Sequence, residues 1–315
     1  VLAVTMGDPS GIGPEICLKL LADPAVHDYC RPVIVGSEEV LRRVSDAAGL
    51  PYPAGSWVQD ILFEELGDLV PGVPSAASGK ASYRYIEYAV RGARAGTYGG
   101  VVTAPISKEA LRLAGLPFPG HTEILAALCQ VPEATLMLWS PRLAVSFVTL
   151  HTALSKVPPL LTRDRVETAI LRTHEFIRKM GPDKPRIGVL GLNPHAGENG
   201  LFGVEEEAVV KPAMDLARRQ GVDASGPLVP DAAFLEKNRP HFDAYVALYH
   251  DQGGIPFKML SFMDGVNVTL GVPIIRTSVD HGTAWDIAGK GTASASSLVA
   301  ACKLAARLST SPRPS

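Results

Sequence analysis

Short apolar runs alternate along the chain with longer segments in which apolar residues recur at helical spacing. Short apolar runs are typical of buried strands, and the helical spacing predicts amphipathic helices between them. The predicted strands are Val1–Met6, Pro32–Val35, Gly100–Thr103, Leu143–Leu150, Arg186–Leu190, Ala244–Tyr249 and Val266–Leu270. The predicted helices are Pro14–Leu21, Glu38–Ala48, Ala81–Ala95, Thr122–Cys129, Arg163–Lys179, Val204–Gln220 and Ser296–Leu308. This alternation predicts an α/β fold with a largely parallel sheet, and the Gly- and Pro-rich stretch Pro51–Ser78 is predicted to be irregular.

The composition is that of a globular protein with about two domains. The chain has 315 residues, 46% hydrophobic and 20% charged, and one domain takes roughly 150 residues. A net charge of -2, no basic run and no apolar stretch of roughly 18 residues argue against nucleic-acid and membrane partners. The four cysteines form no Cys-x-x-Cys pair, which favours a reducing compartment. We expect a cytoplasmic protein.

A glycine-rich segment follows the first predicted strand and opens the first predicted helix; residues 7–15 read GDPSGIGPE. Nucleotide-binding loops occupy such positions, but neither the Gly-x-Gly-x-x-Gly nor the Walker pattern fits. Pro14 suits the first turn of a helix. A ligand-binding turn and a tight strand-to-helix corner are both compatible with the segment.

Three of the eight histidines follow predicted strands: His151, His195 and His250. Because the carboxyl ends of parallel strands share one edge, where ligands bind, these imidazoles can converge there. Three neutral imidazoles with an open position are a ligand set for zinc or a similar divalent ion. We therefore predict a metal centre, and the alternative is three strand-end histidines that only form hydrogen bonds.

Cations and hydroxyls are densest in the last third of the chain, at Lys258, Asn267, Arg276 and Thr277–Ala284. Cations on an apolar framework need anionic partners, which a phosphate or carboxylate substrate would supply. Ion pairs within the chain are the alternative. His121 is a fourth candidate histidine, and Thr122 beside it suits the cap of the following helix.

Five segments in order resemble the 4-hydroxythreonine-4-phosphate dehydrogenase (PdxA) family, in register from residue 2 to about residue 305. They read GDPSGIGPE at 7–15, GHTE at 120–123, NPHAGE at 193–198, YHDQG at 249–253 and RTSVDHGT at 276–283. Residues 281–291, HGTAWDIAGKG, are similar to the adenosine-binding loop of isopropylmalate and isocitrate dehydrogenases. Ser294 stands where those relatives have an Asn.

The resemblance implies a two-lobed α/β/α fold like that of isopropylmalate dehydrogenase, with the active site in the cleft between the lobes. One lobe would comprise residues 1–125 and 270–315 and carry the nucleotide-binding loop; the other, residues 126–269, would carry the metal ligands and dimer contacts. The resemblance also implies a homodimer whose subunits share a divalent ion at His151, His195 and His250. Zinc is the first expectation, with Mg, Co, Ni or Mn as alternatives.

The same resemblance assigns the other site residues. Substrate contacts fall on His121, Thr122, Lys258, Asn267 and Arg276. Contacts to NAD or NADP fall on Asn193, His281, Gly282, Thr283, Ala284 and Asp286. Proton transfer is assigned to Lys258, Asp231 or Asp251, and the sequence does not choose among them.

The implied reaction oxidises the hydroxyl β to the carboxylate of 4-phosphohydroxy-L-threonine, with decarboxylation, in pyridoxal 5'-phosphate synthesis. Metal coordination would acidify that hydroxyl, and the nicotinamide would accept the hydride. Residues 253–260, GGIPFKML, resemble instead paralogues acting on 4-phospho-D-threonate or 4-phospho-D-erythronate. A relative that oxidises a dihydrodiol dicarboxylate of the terephthalate type is also similar. A non-catalytic metal- or phosphate-binding relative is the alternative from another class of protein.

Overall fold

The computed structural model describes residues 1–53, 55, 57–63, 66–261 and 264–310. They form two compact units, Val1–Ala134 with Val272–Thr310, and Thr135–Gly271. Both units alternate strands with helices, which confirms the predicted α/β class. None of the helices in these residues has the length and apolar composition needed to cross a membrane.

The described residues of the first unit form five parallel strands, and the first strand of the chain lies in the middle of them. The strands are β1 (Leu2–Thr5), β2 (Pro32–Gly36), β3 (Val58–Asp60), β4 (Val101–Thr103) and β11 (Arg276–Val279). Their order is β3-β2-β1-β4-β11. All residues of β1, β4 and β11 are buried, as expected for parallel strands covered on both faces.

The helices of the first unit begin where the sequence provides a start signal. They are α1 (Gly13–Ala22), α2 (Pro24–His27), α3 (Glu38–Ala48), α4 (Ala76–Arg94), α5 (Lys108–Leu113), α6 (His121–Cys129) and α12 (Ser296–Thr310). Pro14 lies in the first turn of α1, as predicted. Ser75 and Ser78 form a reciprocal capping box at the start of α4.

The second unit has six strands in the described residues, and these form a mixed sheet. The strands are β5 (Thr135–Trp139), β6 (Ala144–Phe147), β7 (Arg186–Leu190), β8 (Asp223–Leu228), β9 (Ala244–Ala247) and β10 (Val266–Leu270). Their order is β10-β5-β6-β9-β7-β8, and only β5 runs antiparallel to its neighbours. The helices are α7 (Val157–Leu160), α8 (Arg163–Lys179), α9 (Lys211–Arg219), α10 (Pro230–Ala233) and α11 (His250–Ser261).

Each predicted element overlaps an observed one, but four strands go unpredicted: β3, β5, β8 and β11. β3 lies within the stretch predicted to be irregular. β8 contains Gly226 and Pro227, which weaken a strand pattern. The largely parallel sheet was predicted without β5, which reverses into β6 through a tight turn in which the Ser140 N–H donates to the Leu143 carbonyl (2.9 Å).

The helix predicted over Val204–Gln220 is present but is not α-helical throughout. Residues Glu206–Val210 form a π-helical turn, and α9 begins only at Lys211. Pro212 lies in the first turn of α9 and has no N–H to donate to the preceding turn, so the α-helical hydrogen-bond ladder is interrupted there.

The core of the second unit determines the position of α11, the helix that carries three predicted site residues. Phe257 is fully buried in a cluster of apolar side chains from β5, β6 and β9. A Cβ atom on Gly253 would lie 2.5 Å from Cγ1 of Val145. Only glycine therefore lets α11 pack this closely against β6.

The Phe257→Ala variant is expected to lose about 3–5 kcal/mol of unfolding free energy, because a fully buried ring leaves a cavity among packed neighbours. Leu62→Ala is the control, since Leu62 is 86% exposed, and it should change this free energy by less than about 0.5 kcal/mol. Urea unfolding followed by circular dichroism measures both values. Equal losses in the two variants would contradict the packing described for Phe257.

Candidate functional site

His151 and His250 lie side by side because two neighbouring segments remain paired beyond β6 and β9. The Thr149 N–H and hydroxyl both donate to the Leu248 carbonyl, at 3.2 and 2.7 Å. His151 lies two residues after Thr149, and His250 lies two residues after Leu248. Their ring centroids are 5.6 Å apart. Two of the three histidines predicted to bind a metal are therefore neighbours within one chain.

The His250 ring is oriented by its surroundings. Its Nδ1 lies 2.7 Å from Oδ1 of Asp251, and its ring stacks on Phe147 with centroids 6.0 Å apart. A carboxylate beside Nδ1 favours the tautomer with the proton on that nitrogen, which leaves the Nε2 lone pair available. His250 thus has the arrangement that metal-binding histidines commonly have.

His195 lies on a left-handed turn that follows β7. The φ angles of His195, Ala196, Glu198 and Asn199 lie between 42° and 56°. This conformation costs an L-residue roughly 1–2 kcal/mol, so such a turn persists only where its surroundings impose it.

The buried carboxylate of Glu206 provides that constraint. Its Oε1 accepts hydrogen bonds from the N–H groups of Leu192 and Asn193, at 2.7 and 2.8 Å. Burial would raise the pKa of Glu206, but the bonds from Asn193 and Leu192 lower it below its usual value. The side-chain amide of Asn193 also donates to Glu206 and to Glu205, at 3.0 and 2.9 Å. Asn193, predicted to contact the dinucleotide, is thereby tied to two carboxylates that the sequence did not single out.

One chain does not assemble the predicted three-histidine centre. Across residues 1–310, leaving aside the undescribed positions, no three His, Cys, Asp or Glu side chains are arranged to hold a metal ion. His195 Nδ1 lies 3.4 Å from Oε2 of Glu198, and its ring contacts Phe202 at 5.9 Å. The described residues of one chain therefore bring together two of the three predicted imidazoles, those of His151 and His250.

A buried cation, Arg276, occupies β11 of the first unit. It is 3% exposed, and its Nη2 donates to Oγ1 of Thr103 (2.6 Å), which donates in turn to Oγ of Ser278 (2.9 Å). Ser278 is opposite Thr103 in the parallel pairing of β11 with β4, so the three side chains share one face. Burial lowers the pKa of Arg276 to about 9, and the guanidinium still carries its charge at neutral pH. A buried cation of this kind favours an anionic ligand.

His121 is the first residue of α6, next to this cation. Thr122, predicted to cap the helix, lies inside it, because α6 begins one residue earlier and its N-cap is Gly120. The Nε2 atom of His121 is buried and has no hydrogen-bond partner among the described residues. Burial and the nearby charge of Arg276 lower the pKa of His121 well below its usual value. The neutral ring can donate to or accept from a ligand.

Asn267, in the second unit, also has a buried polar atom without a hydrogen-bond partner among the described residues. It lies on β10 opposite Leu138 of β5, and its Oδ1 is buried without a partner in the described part of the chain. Leaving a buried polar atom unpaired costs about 1–3 kcal/mol, which a ligand contact would recover. Lys258 on α11 and Asp231 on α10 are exposed.

The predicted dinucleotide loop follows β11. His281, Gly282 and Asp286 are exposed, Thr283 is buried, and Ala284 has a left-handed φ of 44°. A Cβ atom on Gly282 would meet nothing within 4 Å, so the space beside this backbone is open. An exposed carboxylate such as that of Asp286 is the residue type that binds a ribose hydroxyl in dinucleotide sites.

The fold belongs to a class that includes decarboxylating dehydrogenases. The β-decarboxylating dehydrogenase of Thermococcus kodakarensis has a similar fold, with a TM-score of 0.51 at 14% identity over 95% of this chain and 80% of that chain. A family model described as "Pyridoxal phosphate biosynthetic protein PdxA" matches residues 28–305. The chain belongs to the PdxA family, as the five sequence motifs predict.

Relatives over the whole chain are named as dehydrogenases of two kinds. A 4-hydroxythreonine-4-phosphate dehydrogenase of Desulforapulum autotrophicum is 45% identical over 97% of this chain and 94% of its own. A D-threonate 4-phosphate dehydrogenase of Pectobacterium atrosepticum is 44% identical over 98% and 99%. The crystal structure of the Klebsiella pneumoniae 4-hydroxythreonine-4-phosphate dehydrogenase has a TM-score of 0.90 at 42% identity, covering 98% of both chains. These names confirm the prediction of a dehydrogenase family.

The His121 imidazole is expected to stay neutral well below pH 6.5, its usual pKa. In Arg276→Gln the pKa of His121 should rise, because a repelling cation is lost, but should stay low because burial remains. Nuclear magnetic resonance titration of the imidazole nitrogens measures both values, and Arg112→Gln, which removes an exposed cation, is the control. A wild-type ring that titrates near pH 6.5 would contradict the burial of Nε2.

Proposed function

We propose that the chain is a metal- and NAD(P)-dependent dehydrogenase that oxidises the hydroxyl β to the carboxylate of 4-phosphohydroxy-L-threonine, with decarboxylation. This reaction is a step of pyridoxal 5'-phosphate synthesis, which agrees with the description of the family.

His121 and Asn267 carry this proposal, because each buries a polar atom that finds no hydrogen bond within the described chain. Both were predicted to touch substrate. Asn267 Oδ1 can only accept, so it suits the substrate's ammonium or hydroxyl group. Arg276 and Lys258 supply positive charge for the phosphate and the carboxylate.

The donor set is compatible with a divalent ion. His151 and His250 would each offer one nitrogen, and Asp251 would orient the His250 ring. His195 of a second copy would supply the third ligand. When bound, the metal and the nicotinamide supply Lewis acidity at the substrate hydroxyl and a hydride acceptor. His281, Gly282 and Asp286 would contact the dinucleotide.

Proton transfer is assigned to three groups with different surroundings. Asp251 is engaged with His250, so it would act by orienting that ring or by relaying a proton. Asp231 and Lys258 are exposed. The Asp231 carboxylate would be accessible to receive the proton of the substrate hydroxyl. Lys258 could receive it only as a neutral amine, and it would then not supply positive charge to the substrate.

A second substrate, 4-phospho-D-threonate, is favoured by a specific observation. The Pectobacterium relative named for it is 44% identical over 98% of this chain, and residues 253–260 resemble such paralogues. The two compounds share a phosphate, a carboxylate and the oxidised hydroxyl, and they differ in bearing an amine or a hydroxyl beside the carboxylate. Asn267 Oδ1 can accept a hydrogen bond from either group.

Homodimer formation is part of the proposal. Several large apolar side chains of the second unit are exposed, among them Leu201 (72%), Phe202 (49%) and Met259 (81%). Phe202 contacts His195, and Met259 lies on the helix that His250 begins. A second copy covering these side chains would bury apolar surface and bring a third imidazole to the metal.

Reduction of NAD or NADP by the purified protein, measured with both substrates, is expected to give a higher kcat/KM with 4-phosphohydroxy-L-threonine. A higher value with 4-phospho-D-threonate would assign the second substrate.

Chelation should abolish turnover, and added zinc should restore it. His151→Ala and His250→Ala should lower kcat by on the order of 10²-fold or more, with loss of bound metal. His241→Ala, at an exposed histidine outside the site, should not. Full turnover after chelation would refute the metal-dependent reaction.

Leu201→Glu is expected to give a monomer of 33.4 kDa that no longer binds zinc, because it places a charge in the proposed interface. Leu113→Glu, at a side chain 46% exposed in the first unit, is the control and should remain dimeric. Sedimentation equilibrium and metal analysis measure the two properties. A wild-type monomer that binds zinc with full affinity would contradict the shared site.

A further inference from the structure

Two charged residues of α1, a buried Glu15 and a partly exposed Lys19, form a pair that none of the preceding roles uses. Glu15 Oε1 lies 3.1 Å from Nζ of Lys19, one turn further along the helix. The Glu15 side chain is 0% exposed, and that of Lys19 is 25% exposed. A carboxylate removed from water in this way requires strong partners.

The remaining partners of the pair are backbone groups of the segment that ends the predicted dinucleotide loop. Glu15 accepts hydrogen bonds from the N–H groups of Gly291 (3.1 Å) and Ala293 (2.6 Å). Lys19 donates to the carbonyls of the same two residues, at 2.8 and 2.5 Å. The pair therefore fixes both polar groups of Gly291 and of Ala293.

The beginning of the same loop is also attached to the start of α1. The Ile12 N–H donates to the Thr283 carbonyl (3.0 Å), and a Cβ atom on Gly11 would lie 3.0 Å from Cβ of Thr283. Between these two attachments, Asp286 and Lys290 are exposed. Residues 11–19 thus hold both ends of the 283–293 segment, and the exposed side chains of Asp286 and Lys290 lie between them.

Two apolar side chains at positions 15 and 19 could not form these hydrogen bonds to the loop backbone. Buried N–H and carbonyl groups need an acceptor and a donor, and Glu15 with Lys19 supplies both while neutralising each other's charge. Opposite charges four residues apart on a helix also stabilise one another. Glu15, the last residue of the GDPSGIGPE segment, is thus hydrogen-bonded to the end of the 283–293 loop.

We propose that Glu15 and Lys19 are positioning residues that hold the 283–293 loop in the conformation that receives the adenosine half of the dinucleotide. This inference rests on the proposed function, since it assumes that the loop binds NAD or NADP. Neither residue needs to touch the dinucleotide. Their effect reaches it through the backbone of Gly291 and Ala293, so it should change cofactor binding and leave the chemical step unaltered.

The test compares Glu15→Gln and Lys19→Met with wild type. Both variants should raise the Kd and KM for the dinucleotide by about 10- to 100-fold, the usual consequence of losing hydrogen bonds to a charged group. The kcat and the substrate KM should stay within about 3-fold of wild type. Lys19→Arg keeps the cation and should restore most of the affinity. Glu38→Gln removes the same charge from an exposed pair with Arg42 on α3 and is the matched control.

Hydrogen exchange of the ligand-free protein gives a readout independent of turnover. Peptides covering residues 283–293 should exchange faster in Glu15→Gln and Lys19→Met, whereas peptides of the second unit should not. If Glu15→Gln does not fold, Lys19→Met alone decides, because the Lys19 side chain is partly exposed and its loss leaves the backbone bonds of Glu15 in place.

The outcomes separate this inference from the proposed function. Unchanged dinucleotide affinity in a folded variant overturns the positioning role, whether or not the loop exchanges faster. A parallel fall in kcat and in affinity for both ligands would indicate a general structural defect and overturns it as well. If wild type binds neither NAD nor NADP by calorimetry, the proposed function fails first, and the positioning role fails with it.

Discussion

The carboxyl ends of β7 and β9 are joined by one side-chain amide, that of Gln252. Its Oε1 accepts from the Leu248 N–H, and its Nε2 donates to the Gly191 carbonyl, both at 2.7 Å. The segment leading to His195 starts after Gly191, and His250 follows Leu248 by two residues. This amide therefore links the segment that leads to His195 with the segment that leads to His250. A carboxylate or an apolar side chain could not replace it, because neither offers both a donor and an acceptor.

Buried carboxylates likewise fix the backbone of two other segments through hydrogen bonds. Glu206 fixes the residues that lead into the left-handed turn of His195, and Glu15 fixes the end of the 283–293 loop. Each binds two backbone N–H groups, which repays the cost of removing its charge from water. Apolar packing constrains volume but does not direct individual N–H groups, so these irregular segments depend on charged side chains for their shape.

Regular elements were predictable wherever one physical pattern determined them. Amphipathic spacing gave the bounds of α3 and α8, and the shared edge of parallel strands predicted that His151 and His250 would be neighbours. β11 was missed because its buried positions carry Arg276 and two hydroxyl side chains, which do not form an apolar run. The role of Glu15 was equally hidden, because its partner Gly291 is 276 residues away in the sequence. Sequence patterns report the spacing of nearby residues, whereas the hydrogen bond between Glu15 and Gly291 joins distant parts of the chain.

The three-histidine centre that the sequence predicts is not assembled by the described residues of one chain. One described chain brings together two imidazoles, and the strained turn places His195 on the surface beside Phe202. Under the proposed dimer, a twofold axis would make every contact occur twice, so each His195 would complete the pair of rings in the opposite subunit. Strain in that turn would then serve an intermolecular contact, and this contact would account for an exposed side chain on a costly backbone conformation. Dimer formation would supply the third imidazole to the metal, and the bound metal would link the two subunits. Dimer formation and metal binding would thus stabilise each other.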